Sequence, residues 1–400
     1  MKMRLKIPLS GVFALSLLAI PSLHAEGEDE RGEALQRAHF TDPLQNGAMP
    51  GIAEMKEGPA SGLNVKLEGQ KVYCRYKKRP NGGHNPKFRC YLSNAQGYYL
   101  DKRGKVISSD SPDKVELKVK YKQKDNPNEG QEKDIYTQVF ASRLMWTLGF
   151  PSDRVYSTEQ VTCFDCSDNP FYKTEVEEGH VAHFPDAAIQ IKYPGKNLFG
   201  EEAWSFLELK TLRNSNRWTN EQKTEFDALA LLMSFLVHSS NLAHQQALKC
   251  VQGKKEKCPR PLAYVRDNGS VLGAQLPLAI FSFSKGDLKD WSDFPVFKDQ
   301  VTCHLKLHFG HRFHAHYTSL NVSEEGRLFL LDKFKGIIDD PALGDLRLRT
   351  LFELAKFAKA DTKLAKRYGF LTDEQIIDMW VSAFKQKVRE IESARCPHLK

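Results

Sequence analysis

The sequence predicts an α+β protein, with a strand-rich first half that carries one helix and a mainly helical second half. Three observations support this. Short alternating or β-branched runs, punctuated by Gly, Pro and Asn, recur between residues 65 and 192. From residue 202 onward the apolar residues fall mostly at helical spacing, in runs too long for strands. Eight cysteines follow an export-type N-terminal segment, so the chain is expected to be stapled by disulfides. The chain has 400 residues, 41% hydrophobic and 10% aromatic, which is enough apolar mass to fill a core and exclude wholesale disorder. The formal charge is +8 with a pI near 8.9. Charges of both signs alternate along the chain, so a basic surface patch is expected and nucleic-acid binding is not.

Residues 1–25 combine Lys2, Arg4 and Lys6 with an apolar stretch over 7–20 and a small residue at Ala25. This is the pattern of a secretory signal peptide cleaved after Ala25, and the apolar stretch is too short for a comfortable membrane span. An uncleaved tether is the alternative. A periplasmic or secreted location follows, with no stable transmembrane span. Residues 26–61 are acidic at the start (Glu26, Glu28, Asp29, Glu30) and then rich in Gly and Pro, as expected of a linker or loosely packed arm.

The folded part is expected to start near Gly62. Residues 65–77 and 87–92 predict two strands of a hairpin whose turn contains Gly82 and Gly83. Residues 115–121 alternate strictly, Val115, Leu117, Val119 and Tyr121 on one face and Glu116, Lys118 and Lys120 on the other. Residues 135–149 predict an amphipathic helix stopped by Gly149 and Pro151. Strands are expected over 155–161 and 187–192, and Tyr193-Pro194-Gly195 crosses into the helical half. There the run 226–237 is apolar almost all round, which marks a buried helix. Short strands over 246–251 and 261–266 follow, then helices over 325–338, 346–358 and 373–394, the last with a Thr372/Gln375 capping box.

Sequence alone does not choose among the possible disulfide connectivities. Three pairs are close in sequence and bracket turn-like stretches, which gives Cys74 with Cys90, Cys163 with Cys166, Cys250 with Cys258, and by remainder Cys303 with Cys396. The competing readings are a zinc site built from Cys163, Cys166 and the 250/258 pair, or a redox Cys-x-x-Cys. A separate cluster, His304, His308, His311, His314 and His316, holds five of the 13 histidines. If it were helical, His304, His308 and His311 would share a face suited to zinc or copper. The alternative is a polar surface that titrates near pH 6.

The buried run 226–237 ends in His238-Ser239-Ser240-Asn241-Leu242-Ala243-His244-Gln245, and a strand then delivers Asp267-Asn268-Gly269. This order resembles the catalytic half of the kinase-like superfamily that includes phosphoinositide lipid kinases and bacterial toxin-type serine/threonine kinases. Its loop reads His-x-Asp-x-x-x-x-Asn ahead of an Asp-x-Gly. The resemblance implies a bilobal fold, a mainly β lobe over 62–194 and a helical lobe over 195–400, with ATP and magnesium or manganese between them. It places Ser240 where the base should be, Gln245 at the asparagine position and Asp267 on the metal. In the first lobe it implies Gly82, Gly83 and Lys87 over the phosphates, Lys118 or Lys120 as the phosphate lysine, and Gln138 in place of that lysine's glutamate partner. A neutral amide cannot form the ion pair.

The function expected is an exported kinase-like protein with impaired phosphotransfer, a pseudokinase or nucleotide-binding relative. One alternative is an active envelope phosphotransferase or nucleotidyl transferase with a rewired site, His244 substituting as base. The other is a non-enzymatic binding protein presenting Arg75, Lys77, Lys78, Arg79, Lys87 and Arg89 to an anionic envelope polymer or protein partner.

Overall fold

The computed structural model describes residues 25–45, 49–79, 85–123, 131–200, 203–253, 258–274, 284, 286–307, 309–311, 314–318, 320–356 and 371–399. Strands β1 (Lys71–Tyr76), β2 (Lys87–Ser93), β3 (Glu116–Lys120), β4 (Arg154–Ser157), β5 (Gln160–Phe164), β6 (Val181–Pro185) and β7 (Ala188–Ile191) form one sheet in the order β4-β7-β3-β2-β1-β5-β6. All neighbours are antiparallel except β1 and β5. The strict alternation read from the sequence sorts the two faces. Phe88, Cys90, Leu92, Leu117 and Val119 enter a core with Cys74, Val161 and Phe184. Lys87, Arg89, Glu116, Lys118 and Lys120 therefore lie on the opposite face, with Lys87 across from Lys120 and Arg89 across from Lys118.

Helix α1 (Ala25–Gln36) and helix α2 (Ile52–Glu57) occupy the stretch expected as a loose arm. That stretch is packed: Leu35 and Phe40 are buried, and Phe40 meets the rings of Trp204, Trp218 and Phe226. Burying one large ring outweighs the polar composition around it, which is why a composition reading missed it. Helix α3 (Gln131–Thr147) follows the sheet's third strand. It is closed by Gly149 at φ 75°, and its Phe140 stacks on Phe352 at 4.6 Å.

The rest is mainly helical: α4 (Phe206–Arg213), α5 (Asn220–Leu236), α6 (Leu288–Asp293), α7 (Glu324–Ile338), α8 (Gly344–Leu354) and α9 (Asp373–Ser393). A small sheet joins β8 (Lys196–Asn197), β9 (Gln246–Cys250) and β10 (Pro261–Val265). Two hairpins join β11 (Phe297–Asp299) to β12 (His304–Leu305) and β13 (Phe309–His311) to β14 (His314–Thr318). Helix α5 begins at a capping box in which Thr219 and Gln222 bond each other's backbone. From Phe226 to Leu236 every residue of it is buried.

All four expected cysteine pairs are bonded, with Cα–Cα separations of 5.2 to 5.6 Å. No free thiol is left among them to ligate zinc. Three expectations need correction. The strand read over 155–161 is two strands, β4 and β5, on opposite sides of β1–β3 in the sheet order. Residues 65–70 lie outside β1, with Leu67 buried but not laddered. In the histidine-rich stretch His304, His311, His314 and His316 lie on strands and His308 lies outside the described residues, so His304 and His311 do not share the helical face that a helix there would have given. Gly310 and the β-forming aromatics Phe309 and Tyr317 favour strands there.

Candidate functional site

Helix α5 ends in an unusual way. Val237 takes a left-handed conformation at φ 52°, costly for a β-branched residue, and this turns His238 back under the helix. His238 is fully buried, and its Nε2 lies 2.7 Å from the Asp267 carbonyl. A carbonyl only accepts, so Nε2 donates. Burial holds the imidazole below its usual value, outweighing the pull of Asp267, and the ring is neutral near pH 7. The Arg266 and Asp267 amides both donate to the Gln245 carbonyl, at 3.0 and 3.3 Å. The loop and the Asp-x-Gly segment are thus tied at both ends.

Lys120, only 4% exposed, reaches this segment from β3, its Nζ 4.0 Å from Asp267 Oδ1. Asp267 keeps 39% of its side-chain surface open. Burial pushes its carboxyl up, but the charges of Lys120 and Lys118, with Lys87 adding less, prevail and hold it well below the usual carboxylate range. Lys118 is half-buried by surface area, yet its ammonium lies deep among protein atoms. Burial first, then the charge of Lys120, push it down to about 7.

That shift has a sign. Between about 7 and the unfolded lysine value the unfolded chain binds the extra proton, so stability rises with pH across this window. Lys118→Met is expected to remove this slope and to stabilise the free protein at pH 7 by on the order of 2 kcal/mol. Urea unfolding at pH 7 and pH 9.5 checks it; an unchanged slope would show that Lys118 is not the group responsible.

From α3, the Thr137 hydroxyl lies within hydrogen-bond reach of the Gly269 carbonyl. The neighbouring Gln138 is 1% exposed, and neither amide atom has a partner among the described residues. It shares a helix face with Ser142, which bonds Asp153 O at 2.8 Å and Val155 N at 3.2 Å where β4 begins. Gln138 therefore faces the sheet side of α3. His238 Nδ1 and Asn268 Oδ1 are also buried without a partner among the described residues.

Lys87, Lys118, Lys120, Asp267 and, through Asp267, His238 converge. The remaining expected residues do not join them in the same way. Ser240 is buried, its carbonyl accepting from Gln246. Gln245 caps its own loop, its Oε1 accepting from the Leu242 amide at 3.0 Å. His244 is exposed on the short 3-10 turn Ala243–Gln245. Gly82 and Gly83 lie outside the described residues, as do His308 and the His311 side chain. His304 sits on β12, where burial and the charges of Lys298 and Lys210 hold its imidazole below the usual value.

A divalent cation finds a poor donor set here. Asp267 faces ammonium groups, the Gln245 oxygen already accepts from the Leu242 amide, and neither Gln245 nor Asn268 adds negative charge. Elsewhere His39, Glu221 and Glu225 bring ligand-type atoms within 4.8 Å of one another, beside a cavity of about 590 Å³. Arg260 already supplies the positive charge there, 2.9 Å from His39 Nδ1 and 3.5 to 3.6 Å from the two carboxylates.

Sequence reasoning missed the buried pair that holds α3, Arg143 with Glu68. No local signal marks partners 75 residues apart.

No family model and no curated protein matches the chain. Among solved structures it is similar to a Helicobacter pylori proinflammatory kinase, CtkA, at 10% identity and a TM-score of 0.35, over 81% of this chain and 97% of that one.

Proposed function

We propose that this chain is an exported kinase-like protein that binds nucleotide at the Lys120–Asp267 junction and is impaired in phosphoryl transfer. The observation that carries the reading is the approach of Lys120, from the sheet, to Asp267, from the helical half, at 4.0 Å. In this reading the halves 62–194 and 195–400 are two lobes with the nucleotide between them. Transfer needs a positioned base and charge neutralisation at the phosphates. Ser240 offers a hydroxyl in place of a carboxylate, and Gln245 is committed to its own loop. Four disulfides fit an oxidising compartment and the export segment read in residues 1–25.

The polyanion-binding alternative is less well supported. Arg75 pairs with Asp165, Lys77 and Arg89 with Glu116, and Lys78 with Glu175, so these basic side chains are already engaged.

Thermal stability of the oxidised protein with ATP, measured both with magnesium and with a chelator, tests the reading. We expect a rise in at least one condition, and a dissociation constant weakened about tenfold or more by Lys120→Met. Label transfer from ATP should stay at background. No shift in either condition would sink the nucleotide reading, while transfer that is lost in Lys120→Met would favour an active enzyme.

A further inference from the structure

We infer that the Lys120–Asp267 site takes the phosphate chain of a polyphosphate, carried by a nucleoside triphosphate or free as inorganic tripolyphosphate, with lysine ammonium groups in place of a divalent cation. The inference rests on the nucleotide reading and names its ligand chemistry.

A magnesium ion on phosphates requires near-octahedral oxygen ligands, normally with carboxylates among them. At this site the Asp267 carboxylate has Lys120 Nζ at 4.0 Å, and the charges of Lys118 and Lys87 act on it as well. A dication placed on Asp267 would face all three. The other side-chain oxygens of the two segments, Gln245 Oε1, which already accepts from the Leu242 amide, and Asn268 Oδ1, are neutral and add no charge to hold a dication there.

The same lysines suit an anion. Lys87 and Lys120 face each other across β2 and β3, and Lys118 lies two residues along β3 on the same face. Cross-strand and same-face neighbours stand roughly 5–7 Å apart, a spacing that linked phosphates can span. Asp267 becomes an electrostatic brake on the ligand, not its anchor.

The test is equilibrium binding of ATP and of inorganic tripolyphosphate to the oxidised full chain, in chelator and in excess magnesium, with Asp267→Asn alongside. We expect metal-free binding of both ligands at least as tight as with magnesium, and a gain of about threefold or more in Asp267→Asn from loss of the nearby negative charge. Equal affinity for the two ligands assigns recognition to the phosphates alone, and a preference for ATP adds contacts to the nucleoside; either supports the inference. Magnesium tightening ATP binding about tenfold or more, or Asp267→Asn abolishing it while the protein stays folded, overturns the inference and leaves the nucleotide reading standing. No binding under any condition removes both. The wild-type comparison carries the test even if the variant fails to fold.

Discussion

Replacing Glu68 with Ala is expected to destabilise the oxidised protein by about 3–5 kcal/mol, because it strands a buried guanidinium. Arg143 is 0% exposed on α3, and Glu68 is its ion-pair partner. Glu68 Oε2 also accepts from the Ser157 amide at 3.1 Å, and the guanidinium lies 5.4 Å from the centre of the Tyr156 ring. Arg143 Nε and Nη1 have no hydrogen-bond partner among the described residues, so Glu68 is the group that compensates the charge. Gly58 makes room for it. At φ 81° it has no side chain, and a Cβ there would fall on the Arg143 guanidinium.

The pair also sets a pH dependence. Burial pushes the Glu68 carboxyl up to about 7, against the pull of Arg143 and, more weakly, Lys356. Between the unfolded glutamate value near 4.5 and about 7 the folded protein holds the extra proton. The stabilisation tied to that bound proton is therefore full below about 4.5 and lost as pH rises through about 7, above which Glu68 is the ionised partner of Arg143 and the Glu68→Ala cost applies in full. Glu68→Gln should remove that descent. Urea unfolding of wild type, Glu68→Ala and Glu68→Gln across this range checks both statements. Because α3 also carries Thr137 and Gln138, Glu68→Ala should weaken ATP binding as well; unchanged stability would mean that Arg143 finds another partner.

The second large effect is expected at Cys303–Cys396, which closes a span of 93 residues. In the chain-entropy treatment, removing a link of that length costs about 4–5 kcal/mol, while the Cys163–Cys166 link is worth only about 1–2 kcal/mol. The long link pins the tail after α9 against the start of α7, where the Glu324 amide donates to the Pro397 carbonyl at 2.8 Å. Paired Cys→Ser variants, compared by reversible unfolding without reductant, should rank in that order. The reverse ranking would show that local packing, not loop closure, dominates these links.

Much of the fold was readable because its signals are local. Alternation over 115–121 placed Leu117 and Val119 in the core and Lys118 and Lys120 opposite, and the unbroken apolar run at 226–237 marked the buried α5. The Thr372/Gln375 cap gave the start of α9. What was not readable depends on distant partners. Phe40 is buried by Trp204, Trp218 and Phe226, and no composition reading of residues 26–61 contains those rings. The split between β4 and β5 follows from pairing with β7 on one side and β1 on the other. At the candidate site the types and order of residues were legible, but not their use. Only the fold shows that Gln245 is spent on Leu242 and that Lys120 is the lysine within ion-pair range of Asp267.

The most direct measurement of the central claim is lysine acylation read by mass spectrometry, with and without saturating ATP. Lys87 should be acylated readily in the free protein, and Lys118, whose amine burial holds down to about 7 but also shields, and Lys120 more slowly; all three should be protected about tenfold or more by ATP. The exposed Lys71 and Lys78 should react equally in both samples. Protection confined to Lys87, Lys118 and Lys120 is the result the account predicts. Saturable ATP binding that leaves those lysines as reactive as before would contradict it, because the nucleotide would then sit elsewhere.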